Sequence, residues 1–327
     1  MKKLLASLFV VAMLAGCGST GGDGNDASAT GLKGEIHVYT RDSTSGTREA
    51  FEKGVGFEKE LTKSATEVSS NDDMAAKVGQ DANGIGYTSL STDFEKNNVK
   101  AVQYEGVSAS SETVLDGSYK LQRPFNYVTR AKGDFGSEDK EQLVAAYLDF
   151  IQNSKEGMTI VQKNGGEVDL SKATPWSELA KKYPVLEKDN SGITITTGGS
   201  TSVEKTVKAT LEAFSPMAGN FKFVMNQTGS GDAVKRVLGG EKDGPNAADI
   251  GFSSREFKDE DGDITSAMES GQYCIDAVVA VVQKDNPTSN MTQAQLQSIF
   301  KGETTNWEDV KLSLIHISEP TRRRGIS

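Results

Sequence analysis

The sequence predicts an α/β fold, and three observations carry that prediction. Short apolar runs bounded by Gly and Ser alternate along the chain with apolar stripes of helical period. "DAVVAVVQ" (276–283) is continuously apolar, as expected of a strand covered on both faces. Hydroxyl- and Gly-rich turns recur where strands end and helices begin, the pattern of βαβ units with ligands at the strand carboxyl ends. At 327 residues the chain is long enough for two lobes of ordinary size.

Taken in order, "GEIHVY" (34–39) alternates as a half-buried strand with Ile36 and Val38 on one face. "ANGIGYTSL" (82–90) and "PFNYVT" (124–129) are two further strands. From 139 to 163 a helix is predicted, with Leu143, Tyr147 and Ile151 beside Val144 and Leu148 as its apolar stripe. The polar connection that follows carries Pro175 and Pro184 and does not read as one long element. "ITITTGGSTSVEKTVKATLEAF", from 193, reads strand, Gly-rich turn, helix, with Val203, Val207, Leu211 and Phe214 as the stripe. "FKFVMNQTGSGDAVKRVLGG" repeats that grammar, with Val234, Val237 and Leu238 on its helix. "AADIGFSSREF" is a buried strand ending in two serines, and "MTQAQLQSIFKGETTNWEDV" is a helix and a polar turn.

Thirty-six basic residues against 46 acidic ones, a net charge of −10, argue against a nucleic-acid partner. Residues 1–16, "MKKLLASLFVVAMLAG", have a basic start and an apolar core too short to span a bilayer, and read as an export signal. "LAGC" then resembles the lipobox of bacterial lipoproteins, which implies a lipid anchor on Cys17 and an extracytoplasmic, membrane-held location. Residues 17–32 are almost devoid of apolar side chains and read as a flexible tether. The other cysteine, Cys274, lies in an apolar setting and reads as a buried structural residue. Residues 312–327 fit neither a helical nor a strand period, resemble translated adaptor sequence, and read as a non-native tail. His316 lies there, leaving His37 as the histidine of the body. Histidine-built metal sites and Ser-His triads are then hard to assemble, so no metal, no cofactor and no enzymatic activity are expected.

Four predicted strand ends share one chemistry: "RDSTSGT" (41–47), "GGSTS" (198–202), "TGSG" (228–231) and "FSSR" (252–255). A helix start carries unpaired N–H groups and partial positive charge, which suits an oxyanion. Glycine admits a close backbone approach, Ser and Thr add neutral donors, and arginine supplies a forked pair. Each turn alone is equally well an ordinary helix cap. No "GKS" or "GKT" occurs, so these are not the phosphate-cradling loops of nucleotide hydrolases.

As a set, "ITTGGSTSV", "NQTGSGDAV", "ADIGFSSRE", "IHVYTRDSTSGTREAF", "NGIGYTSL" and the run from "YCIDAVVAVVQ" to "NWEDV" resemble one family. It is the phosphate-binding component of bacterial Pst-type ABC importers, a type II periplasmic binding protein. The likeness covers roughly residues 33–311. In most of that family the "GSTS" block opens the protein and "SGTREAF" follows "NW". Here the order is circularly permuted, which a fold with neighbouring surface termini tolerates.

The resemblance implies a two-lobed type II periplasmic binding protein fold, each lobe a mixed sheet flanked by helices, with the ligand in the interlobe cleft. Residues 33–123 plus 276–311 would form the lobe carrying "RDSTSGT". Residues 124–275 would form the lobe carrying the other three turns. The implied ligand is inorganic phosphate, and the implied partners are an ABC permease and its ATPase, with the binding protein a monomer. Phosphate contacts carried over are Arg41, Ser43, Ser45, Gly46 and Thr47 from one lobe. Thr201, Ser202, Ser230 and Ser254 come from the other. Asp42, Arg48, Gly231 and Arg255 are additional candidates. Well-known members place aspartates where this chain has Ser254 and Ser43, and Asp42 is displaced by one position. That departure leaves other oxyanions (sulfate, molybdate, tungstate) and a sensor or adhesin without transport as alternatives.

Overall fold

The computed structural model describes residues 32–310. The export signal, Cys17, the tether as far as residue 31 and the tail from residue 311 lie outside the described residues. In chain order the elements begin β1 (His37–Arg41), α1 (Gly46–Val55), β2 (Thr66–Val68), α2 (Asn71–Gly79) and β3 (Gly84–Ser89). Then follow β4 (Val99–Ala101), β5 (Gln103–Tyr104), α3 (Ser111–Leu115), β6 (Gln122–Thr129), α4 (Glu138–Asn153) and α5 (Lys155–Lys163). Next come α6 (Trp176–Leu179), β7 (Thr194–Gly199), α7 (Glu204–Phe214), β8 (Lys222–Gln227) and α8 (Ala233–Val237). The chain closes with β9 (Ile250–Ser253), β10 (Ser270–Gln283), β11 (Asn290–Met291) and α9 (Gln293–Lys301).

The strands form a nine-stranded sheet of order β2-β1-β3-β10-β6-β9-β7-β8, with β4 added on β10. β1 runs parallel to β2 and β3 at one end, and β7 runs parallel to β8 and β9 at the other. Between them β10 pairs antiparallel with β3 and β6, so one 14-residue strand belongs to both ends. The pairing of β10 with β6 slips between Gln272 and Cys274. β10 starts at Ser270, earlier than its uniformly apolar segment, because its first residues are partly exposed and alternate polar with apolar.

Two principal apolar cores sit against the two ends of the sheet. One draws on residues 36–121 and 277–310 and is centred on aromatic rings. Phe51 stacks on Tyr87 with ring centres 4.2 Å apart, and Phe300 meets Phe51 edge-on at 4.9 Å. The other draws on residues 125–274, with Phe150, Trp176 and Phe214 mutually in contact at 5.1–5.6 Å. Cys274 is buried in this second core, and burial pushes its thiol pKa well up, consistent with a structural residue.

The helix predicted over 139–163 is two helices. Ser154 adopts an extended conformation (φ −86°, ψ 140°), ends α4, and caps α5 by accepting from the Gly157 N–H at 2.8 Å. Its own hydroxyl donates back to the Phe150 carbonyl at 2.6 Å. The apolar stripe continues through the break, which is why periodicity alone reads one element.

Candidate anion-binding site

Arg41 ends β1 and is 1% exposed. Its N–H donates to the Tyr87 hydroxyl at 3.1 Å, anchoring the backbone to the first core. Nη1 donates to Asn71 Oδ1 at 2.9 Å, and Nη2 donates to the Ser69 carbonyl at 3.0 Å and to Thr201 Oγ1 at 3.2 Å. Asp42 Oδ2 lies 3.4 Å from Nη2. Nε is buried with no hydrogen-bond partner among the described residues. Burial lowers the Arg41 pKa and Asp42 partly offsets that, but a guanidinium starts so high that it stays charged.

The turn after Arg41 opens α1. Ser45 is its N-cap, accepting from the backbone N–H groups of Thr47 at 3.2 Å and Arg48 at 3.4 Å. A serine that spends its lone pairs on helix N–H groups keeps its O–H as a donor, so the cap and the anion ligand are compatible roles. Gly46 faces the other half of the molecule so closely that a β-carbon there would overlap the hydroxyls of Ser254 and Ser230. Thr47 is buried, with Oγ1 2.9 Å from Ser202 Oγ and 3.3 Å from Asn71 Oδ1.

The facing wall comes from β7, β8 and β9. Gly199 ends β7 at φ +104°, and a side chain there would strike the Phe252 backbone, so glycine is required for the turn. Thr201 and Ser202 follow on one 3-10 turn, and Ser230 starts another after β8. Ser254 is fully buried at the end of β9, with Ser230 Oγ at 3.2 Å and Ser200 Oγ donating to it at 2.9 Å. The structure thus brings together Arg41, Ser45, Gly46, Thr47, Thr201, Ser202, Ser230 and Ser254. Beside them a cavity of about 330 Å³ opens, walled by Asn71, Ser91, Thr201, Ser202, Lys205 and others.

The other predicted residues are committed differently, Asp42 being divided between the turn and Arg41. Ser43 is exposed in the turn. Asp42 Oδ1 stabilises that turn, accepting from Thr44 N–H at 3.0 Å and Thr44 Oγ1 at 2.5 Å. Arg48 Nε pairs with Glu52 at 2.7 Å, and its Nη1 donates to the Arg41 carbonyl at 3.1 Å. Arg255 forks onto Asp261 at 2.5 and 2.7 Å, and Gly231 has open space around it. Cys17 lies outside the described residues.

Three residues in the cluster were not singled out from the sequence: Asn71, Ser200 and Arg123. Arg123 is the second residue of β6, is 2% exposed, and its Nη1 donates to Thr47 Oγ1 at 2.7 Å and Ser254 Oγ at 3.2 Å. A charge within a strand that reads as core demands a buried partner, and that signal was present in "LQRPFN" and "CIDAVV". Among the described residues no group of three or more His, Cys, Asp or Glu could hold a metal ion, and no helix is long and apolar enough to cross a membrane.

Two halves that present hydroxyl-rich strand ends to a shared cleft define a two-domain binding protein, and comparison with known proteins gives the same class. A family model described as a PBP superfamily domain matches residues 24–156 and 184–323. Phosphate-binding protein PstS 2 of Streptococcus agalactiae is 30% identical over 319 residues, 94% of this chain and 99% of that one. Its namesake in Streptococcus pneumoniae is 31% identical over 300 residues, 89% of this chain and 92% of the other. A crystal structure of the phosphate-binding protein of a phosphate ABC transporter from S. pneumoniae superposes with a TM-score of 0.62. It shares 30% identity, covering 85% of this chain and 100% of that one. The chain belongs to the PBP superfamily, in the family of these PstS 2 proteins. Both sequence matches run nearly end to end in this chain and in the relative.

Proposed function

We propose that the protein captures inorganic phosphate outside the cytoplasm and delivers it, unchanged, to the permease and ATPase of an ABC importer. Supporting this are phosphate-binding proteins that match almost the whole chain. The observation that carries it is the convergence on the buried, incompletely partnered Arg41 of neutral donors from both cores. Residues 33–123 with 276–311 act as one lobe and 124–275 as the other, closing as a monomer over the anion. Cys17 carries the lipid anchor and residues 17–32 the tether.

Phosphate is held by Arg41, Ser45, Gly46, Thr47, Thr201, Ser202, Ser230 and Ser254. Hydrogen bonds to charged groups contribute about 1.5–3 kcal/mol each. A handful offsets the ordering costs and reaches micromolar binding, about −8 kcal/mol. Asp42 rather than the exposed Ser43 supplies the acceptor for a phosphate proton, since its Oδ2 already lies 3.4 Å from Arg41 Nη2. A carboxylate there favours protonated phosphate over sulfate.

Calorimetric titration of Arg41→Ala with phosphate tests the reading. Binding is expected to vanish while circular dichroism stays that of the parent protein. Near-parental affinity in that variant would refute the site, and equal parental affinity for sulfate would refute the assigned ligand.

A further inference from the structure

Arg123 and Asp276 sit directly opposite one another where β6 pairs with β10, the strand common to both ends of the sheet. Both side chains are almost wholly buried, at 1% and 0% exposure. Asp276 Oδ2 accepts from Arg123 Nε at 3.0 Å and Nη2 at 2.7 Å, and its Oδ1 accepts from Ser89 at 2.7 Å. The guanidinium also lies over the Phe125 ring, 5.3 Å from its centre. With that edge committed, Nη1 alone reaches into the cleft, and it touches one hydroxyl from each half: Thr47 and Ser254.

A hydroxyl has one proton to give and two lone pairs to fill. At Ser254 the lone pairs are taken by Arg123 Nη1 and by Ser200 Oγ. At Thr47 one is taken by Arg123 at 2.7 Å, the shortest contact that oxygen makes, with Ser202 beside it at 2.9 Å. Thr47 gives its proton to Asn71 Oδ1 at 3.3 Å, so Ser202 donates to it, and the Ser254 proton falls to Ser230 Oγ at 3.2 Å. Neither oxygen keeps a lone pair with which to accept a proton from a ligand, and each can turn its own proton toward one.

We propose that Arg123 is a positioning and specificity-determining residue of the anion site, holding Thr47 and Ser254 in the donor sense so that the cleft selects the doubly charged form of a tetrahedral oxyanion. The proposal rests on the phosphate reading above. Phosphate monoanion carries two P–OH groups and dianion one. Walls that only donate, with Asp42 as the acceptor, suit the dianion.

The experiment titrates the full-length protein with inorganic phosphate by calorimetry on both sides of a phosphate second ionisation, at about pH 5.5 and about pH 8. Parental affinity is expected to be higher at the upper pH. Arg123→Lys keeps a cation beside Asp276 but loses the Nη1 that reaches Thr47 and Ser254. Its affinity at the upper pH is expected to fall about tenfold, one charged hydrogen bond's worth. Its preference for the upper pH should shrink, because freed lone pairs can accept from the monoanion. Arg123→Met/Asp276→Leu removes the buried pair together and leaves no orphan charge, so it carries the same readout if the lysine variant does not fold. A variant that keeps the parental ratio between the two pH values, whether weakened or not, overturns the proposal. Parental protein that binds no phosphate at either pH overturns the phosphate reading itself and this proposal with it.

Discussion

Glu49, in the first turn of α1, holds Arg255 across the cleft. Its Oε2 lies 2.8 Å from Nε of Arg255, and its Oε1 lies 2.9 Å from Nζ of Lys258. The arginine that follows the "FSS" serines thus spends its charge on a carboxylate of the opposite half and on Asp261, rather than on the hydroxyl cluster.

Because that pair joins the two halves, it stabilises the arrangement in which they meet. Glu49 is 28% exposed and Lys258 42%, so solvent screens the gain. A partly exposed pair contributes about 0.2–1 kcal/mol. Glu49→Gln is expected to weaken phosphate binding by about two- to fivefold at low ionic strength, with the difference fading as salt rises. Calorimetry at two salt concentrations reads this directly, and parental affinity at low salt would separate the pair from binding.

Gly46→Ala adds only a methyl group, yet it falls where the hydroxyls of Ser254 and Ser230 already lie. Overpacking costs about 1–3 kcal/mol, which here is charged to closure and not to folding. Phosphate affinity is expected to drop by about ten- to a hundredfold while the melting temperature of the ligand-free protein holds or rises. A variant that loses melting temperature but keeps its affinity would place the methyl group's cost in the fold instead.

Asp261 gives stability a pH dependence. Burial raises its pKa, but the Arg255 fork and the Lys258 N–H donate to its carboxylate and together outweigh that, so the net shift is downward. A carboxyl depressed in the folded state contributes fully above its unfolded pKa, about 3.9, and loses that contribution as pH falls through the folded value. Asp261→Asn is therefore expected to lower the melting temperature at neutral pH by about 2–4 °C per kcal/mol lost. The gap to the parental protein should close in acid. Melting curves at neutral pH and below the carboxylate range check the sign, and a gap that widens in acid would contradict it.

Phe300 carries the C-terminal helix into the first core, touching Phe51, Phe57 and Tyr87 with ring centres 4.9–5.8 Å away. Phe300→Ala is expected to destabilise by about 3–5 kcal/mol in denaturant titrations. At temperatures where the variant is folded, phosphate affinity should be nearly parental, since no atom of Phe300 is among the hydrogen-bonding groups of the cleft.

The hydroxyl turns were legible because their chemistry is local: a Gly, a Ser or Thr and a strand end stand together in a few residues. Arg123 and Asp276 were not, although their charge in apolar runs was a signal. Their meaning depends on the β6–β10 register, which joins residues 153 positions apart. Asn71 sits in the polar string "SSNDD" and takes a place in the cluster only because β3 and α2 pack beside β1. The α4–α5 break was missed for a different reason. The helical stripe runs across it, and the S-x-x-G that ends one helix and caps the next is short and common.

The continuity of β10 has a mechanical consequence. Up to Ala277 it is hydrogen-bonded to β6, and from Val278 onward to β3, with no break between the two pairings. The two halves therefore cannot part like panels on a slack cord. Separation has to be absorbed as torsion of a continuous sheet. Strand pairing, rather than a linker, therefore sets how stiffly the two halves are held together.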